Sequence, residues 1–150
     1  MPAPRPCPSR HGLPLGLAGA PPRPAGDTVS TVRRTAQRHQ RRVSPTDARS
    51  AQAAGAVLLD VREHAEWKAG RAPGTLHWPL SRLARGRAPL GELSGRQVIT
   101  VCCAGKRSQH AVALLAARGI AAQDLDGGLR AWARAGHPVV DGSDRPGTIL

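Results

Sequence analysis

Reactive residue types crowd together at one place in this chain, Cys102-Cys103-Ala104-Gly105-Lys106-Arg107-Ser108. The segment lies between an apolar run and a helical pattern, so it reads as a short strand-to-helix loop. Glycine at position 105 is free to take positive φ, which lets successive backbone N–H groups turn inward as an anion-binding nest. A helix beginning near Arg107 adds the positive end of its dipole, and Lys106 and Arg107 add two full charges. All three place positive potential around the Cys102 sulfur, the setting in which cysteines act as nucleophiles, and the same nest would hold a charged covalent adduct. Cys103 is a resolving thiol or a bystander. A disulfide between sequence neighbours requires a strained peptide, so the passive role is favoured.

The elements that must position this loop are legible on either side. Gln97–Val101 is a β-branched strand leading into Cys102, and Ser108–Arg118 is a helix closed by Gly119. Upstream, Ser44-Pro45-Thr46-Asp47 combines an N-cap serine, proline at the first helical position and an acid in the first turn, predicting a helix over 45–54. Val57–Val61 is a nearly continuous apolar run, as expected of a strand buried on both faces. Glu63–Ala69 reads as a helix ended by Gly70, Thr75–Trp78 as a strand stopped by Pro79, and Ser81–Arg85 as a helical turn. Ala121–Leu125 is a further strand, and Leu129–Ala135 a last helix before Gly136 and Pro138. Strands alternating with helices imply an α/β fold, a central parallel sheet with helices on both faces, and ligands at the carboxyl ends of its strands. Cys102 lies at one of those ends.

Composition narrows the function classes. The formal net charge is +12, but residues 1–43 carry eight arginines against one aspartate and eight of the 14 prolines. That segment is expected to be a disordered basic leader, since it cannot bury enough surface to offset the entropy of ordering it. Domain boundaries are then 1–43 leader, 44–140 domain and 141–150 C-terminal tail. Clustered arginines at 33, 34, 38, 41 and 42 would make only a weak, salt-sensitive contact with nucleic acid or an anionic surface. Phe and Tyr are absent and three tryptophans are the only aromatics, which leaves little for a base-stacking platform, so nucleic acid is not the expected partner. No run approaches the ~20 apolar residues of a membrane span, and no membrane partner is expected. Three cysteines, two of them adjacent, form no disulfide framework or zinc knuckle, which favours a reducing, cytoplasmic compartment. The six histidines have no metal spacing, so neither a metal nor another cofactor is expected. Trp67 and Trp132 are expected to anchor the core.

Strand–Cys-x4-Arg-Ser–helix resembles the active-site loop of the rhodanese family of sulfurtransferases. Leu59-Asp60-Val61-Arg62-Glu63 with Glu66-Trp67, followed by Gly70-Arg71-Ala72-Pro73-Gly74-Thr75, resembles the family's first signature. Leu125-Asp126-Gly127-Gly128-Leu129-Arg130-Ala131-Trp132 with Ala135-Gly136-His137-Pro138-Val139 looks like its closing one. The three motifs stand in the family's order over about residues 44–140. The resemblance implies that Cys102 takes a sulfane sulfur from thiosulfate or a related donor as a persulfide and passes it to a thiol, to cyanide or to a protein acceptor. The loop from Cys103 to Ser108 would cradle the persulfide, with Arg107 orienting the loop or an anionic donor. Asp60 and Arg62 match positions that support the site from beneath. Two departures stand out: Cys-Cys-Ala-Gly replaces the common Cys-Arg-Ser-Gly, which removes a loop cation, and Gly-Arg-Ala-Pro-Gly replaces Gly-His-Ile-Pro-Gly, which implies a local change of packing.

Two other functions compete. Cysteine phosphatases and arsenate reductases also hold an anion between strand and helix, but with Cys-x5-Arg, and the shorter Cys102-to-Arg107 spacing suits a single transferred sulfur better. A non-catalytic binding module or sulfur carrier would keep the fold, and an intact Cys102 argues against a dead domain.

Overall fold

The computed structural model describes residues 42–150. Helix α1 (Pro45–Ala53) begins where the capping pattern predicts, with the Ser44 side chain accepting the Asp47 N–H and Pro45 at the first position. Strand β1 (Val57–Asp60) leads to α2 (His64–Ala69), whose Glu63 and Glu66 exchange side-chain and backbone bonds in a capping box. A short β2 (Leu76–His77) and α3 (Leu80–Ala84) follow, then α4 (Leu90–Leu93), a single turn too short for apolar periodicity to reveal. Strand β3 (Val98–Val101), α5 (Lys106–Ala116), β4 (Ala122–Asp124) and α6 (Gly128–Arg134) complete the order.

All four strands are parallel, in the order β2-β1-β3-β4. Val57 pairs with Val98 and Asp60 with Val101, so the two central strands end level with one another. Their side chains alternate between two cores. Leu59, Val61, Val98 and Cys102 pack with Leu83, Leu93 and Leu115 beneath α3, α4 and α5. Leu58, Ile99 and Val101 pack with Ala48, Leu129 and Trp132 beneath α1 and α6. Every residue of β1 and β3 is buried, and each large apolar side chain so buried contributes about 1.5–3 kcal/mol. The chain leaves β1 toward the β2 edge and leaves β3 toward the β4 edge. The carboxyl ends of β1 and β3 therefore form the switch point of the sheet, the place where such sheets bind ligands.

The basic leader expected over 1–43 lies outside the described residues except at its last two positions, and there the boundary moves. Val43 is buried, donates to Asp124 O at 2.9 Å and accepts from Asp126 N at 2.8 Å, forming a parallel bridge beside β4. Arg42 reaches Asp126 at 3.0 Å. The edge of β4 supplies the backbone partners that add Val43 to the sheet as an isolated bridge, while Arg42 is held by its side chain alone. At the other end, residues 139–150 fold back over α2. Val140 exchanges two backbone bonds with Arg71, Thr148 N–H donates to Ala69 O at 3.0 Å, and Ile149 packs on the second core. Among the described residues no helix is long and apolar enough to cross a membrane.

Candidate active site

Strand β3 presents its side chains alternately, so Val98, Thr100 and Cys102 share one face. Cys102 is 1% exposed, and the Gly105 N–H donates to its Sγ at 3.0 Å. Gly105 has φ 97°, which turns that N–H inward and starts α5 at Lys106, two residues earlier than the helical pattern suggests. An L side chain would be strained there. The Ser108 hydroxyl lies 3.5 Å from Cys102 Sγ and donates to Gly105 O at 3.1 Å. Thr100, fully buried, places its hydroxyl 3.0 Å from Ser108 O and 3.1 Å from Gln123 O, tying the first turn of α5 to strands β3 and β4.

Beneath the loop, α6 holds it by its carbonyls. Leu129 N–H donates to Cys102 O at 2.8 Å and Arg130 N–H to Cys103 O at 3.1 Å. Gly128 permits this approach, for a Cβ there would meet the carbonyl oxygens of Cys102 and Cys103 at 2.5 Å. With the loop carbonyls turned toward α6, the Gly105 amide turns toward the sulfur.

Two ion pairs flank the loop. Asp60 and Arg62 are both fully buried at the end of β1. Arg62 Nη2 donates to Asp60 Oδ2 at 2.7 Å and to Gly70 O at 2.6 Å, Nε donates at 3.0 Å, and the Arg62 backbone N–H adds a bond at 3.1 Å. Arg62 Nη1 is buried without a partner among the described residues. The second pair is bidentate: Arg107 Nη1 and Nη2 donate to Glu66 Oε2 and Oε1 at 2.7 and 2.6 Å. Glu66 Oε2 also accepts the Glu63 N–H at 3.1 Å. The hydrogen bond from Arg107 holds the Glu66 carboxyl below the usual carboxylate range against the opposing effect of burial, and the bond to Glu66 raises Arg107 in turn.

Of the other loop residues, Ala104 and Lys106 are exposed, and Lys106 pairs with no carboxylate among the described residues. Cys103 is half-buried and donates its thiol to Leu150 O at 3.0 Å. Trp132 is buried and donates to Pro138 O, as a core anchor should. Trp67 departs from that expectation. It is half-buried, stacked on His77 at 4.7 Å and covered by the Arg71 guanidinium at 4.0 Å. Arg71 stands where the resemblance led one to expect histidine, and its stacking, with Ala72 fully buried, is the local repacking implied. Among the described residues no cluster of three or more His, Cys, Asp or Glu could hold a metal.

The structure brings Cys102, Gly105 and Ser108 together at the carboxyl end of β3, ties Arg107 to Glu66, and sets Asp60 level with Val101 at the end of the neighbouring strand. Sequence reasoning passed over Glu66, Thr100 and Gly128 as site residues. The Glu63-x-x-Glu66 capping pattern pointed to a helix start and not to Arg107, and Thr100 looked like any β-branched strand residue.

An α/β domain with a cysteine loop at the switch point of a parallel sheet is the arrangement of the rhodanese-like proteins. The Rhodanese-like domain model matches residues 44–135, and the chain belongs to that family. It is 34% identical over 110 residues to an HTH-type transcriptional regulator of Mycobacterium tuberculosis, a match covering 67% of this chain and 47% of that protein. It is 31% identical over 101 residues to the thiosulfate sulfurtransferase GlpE of Pseudomonas savastanoi, covering 65% of this chain and 91% of GlpE. A rhodanese-related protein from Thermoplasma volcanium superposes with a TM-score of 0.58 at 29% identity, covering 67% of this chain and 97% of that one. The chain thus spans about half the length of the regulator and nearly the whole of GlpE.

Proposed function

We infer that this domain moves a sulfane sulfur from thiosulfate or a related donor to a thiophilic acceptor through a persulfide on Cys102. The Cys102 thiolate attacks the outer sulfur of the donor. A bond forms between that sulfur and Sγ, the bond between the two donor sulfurs breaks, and sulfite leaves with the electron pair. The terminal sulfur of the persulfide carries the charge, and the loop from Cys103 to Ser108 shelters it. Cyanide, a thiol or a protein acceptor then takes that sulfur and restores the thiolate, cyanide becoming thiocyanate.

The observation that carries this reading is the Gly105 N–H aimed at Cys102 Sγ at 3.0 Å in a Cys-x4-Arg loop. Phosphate-ester chemistry is disfavoured by the same loop, because Cys102 to Arg107 is one residue shorter than the Cys-x5-Arg spacing of cysteine phosphatases and suits a single transferred sulfur better. Intact mass after brief exposure to thiosulfate tests the proposal. One added sulfur is expected on the unmodified protein and on Cys103→Ser, none on Cys102→Ser, and cyanide should remove it. Folded, reduced protein that gains no sulfur would overturn thiosulfate as donor.

A further inference from the structure

We propose that Glu66 sets the donor selectivity of this site by occupying the guanidinium fork of Arg107. The inference rests on the sulfur-transfer reading and concerns which donors the loop attracts. Cys102 to Ser108 contains two cationic side chains, Lys106 and Arg107. Arg107 is already engaged on both arms, at 2.7 and 2.6 Å, in the geometry a guanidinium uses for any planar or tetrahedral oxyanion. One fork cannot hold the Glu66 carboxylate and two donor oxygens at the same time. Glu66 is itself fixed, since its Oε2 accepts the Glu63 N–H at 3.1 Å and its position in the capping box leaves it little freedom to swing away. The pair is partly accessible, with the Arg107 and Glu66 side chains 37% and 24% exposed, so a released fork could reach a donor from solvent. Among the described residues, the loop together with Glu66 therefore presents one unpaired side-chain charge, on Lys106. A second negative charge on the donor gains less here than the sequence of the loop suggests.

The test compares two donors that differ by one charge. Thiosulfate is a dianion and loses sulfite. Methanethiosulfonate is a monoanion and loses methanesulfinate in the same displacement at Cys102. Second-order rate constants for persulfide formation are read by intact mass in single turnovers, and the quantity of interest is their ratio. Both constants come from the same protein, so incomplete folding or a generally loosened loop cancels.

Glu66→Gln is expected to raise the preference for thiosulfate about five-fold at low ionic strength, the gain from one close charge pair in water, and the rise should shrink toward 1 M salt. Glu63→Gln removes the same charge one turn away and leaves the fork engaged, so its ratio should match the unmodified protein. Two results would overturn the proposal: an unchanged ratio in Glu66→Gln, or an equal rise in Glu63→Gln, which would assign the effect to net charge alone. If the unmodified protein loads from neither donor, the sulfur-transfer reading fails and this inference with it. Loading without a shift in ratio sinks the inference and leaves sulfur transfer standing.

Discussion

The two ion pairs beside the loop have the same chemistry and opposite settings. Asp60 and Arg62 lie wholly inside the fold at the end of β1, where each charge has lost its water and depends on the other and on the Gly70 carbonyl. Glu66 and Arg107 remain partly wet and join two elements, α2 and the first turn of α5, that the chain separates by 41 positions. Removing one member of a buried pair strands a charge in low dielectric. Removing one member of a half-exposed pair leaves a charge that water can still reach. The first pair therefore shapes the platform, and the second adjusts what stands on it.

The largest effect expected is on stability at the buried pair. Asp60→Ala should cost about 3–5 kcal/mol in urea unfolding, because the buried Arg62 guanidinium is left without its carboxylate partner. A loss below about 1 kcal/mol would erase the contrast. Replacing both partners, Asp60→Leu with Arg62→Met, should recover most of that loss, since no desolvated charge remains. At the other pair, a double-mutant cycle of Glu66→Gln and Arg107→Gln in the same assay should give a coupling of about 0.2–1 kcal/mol. A larger value would place it with the buried pair.

Salt and pH sharpen the contrast with smaller effects. Raising ionic strength from 0.15 to 1 M shortens the screening length from about 8 to about 3 Å, which should weaken the Glu66–Arg107 coupling and leave Asp60–Arg62 unmoved. Glu66 has a lowered native pKa, so it binds its proton more weakly when folded. Its contribution to stability is complete above the ordinary carboxylate pKa and is lost as pH falls through the lowered one. The stability difference between the unmodified protein and Glu66→Gln should accordingly stay constant from neutral pH down to that range and shrink below it. Asp124 shifts the other way, raised by burial against the opposing charge of Arg42. What it contributes is present below the ordinary value and lost as pH rises through the raised one, so Asp124→Asn should gain on the unmodified protein over that interval. Thermal melts across pH 3–7 would report both signs.

Much of this is legible in the sequence alone. The strand into Cys102, the helix after it and the Ser44 cap are local patterns in which hydrogen-bonding chemistry and apolar spacing agree, and each element formed within a few residues of its expected place. The turn at Leu90–Leu93 escaped because one helical turn has no period to detect. Trp67 was misplaced because a large aromatic suits either a core or a stack, and its neighbours Arg71 and His77 come together with it only when β2 pairs with β1. Glu66 escaped for the same reason: nothing in a sequence separation of 41 positions says that a capping glutamate meets a loop arginine.

What the chain determined by itself was the set of elements and the loop between β3 and α5, since strand pattern, glycine and helix start all act over a few residues. The register of β1 against β3 set Asp60 level with Val101, next to the start of that loop, and parallel pairing placed α2 where Glu66 reaches Arg107. Such contacts join distant parts of the chain, and their geometry depends on how two sheet faces pack. Only the tertiary structure decides them.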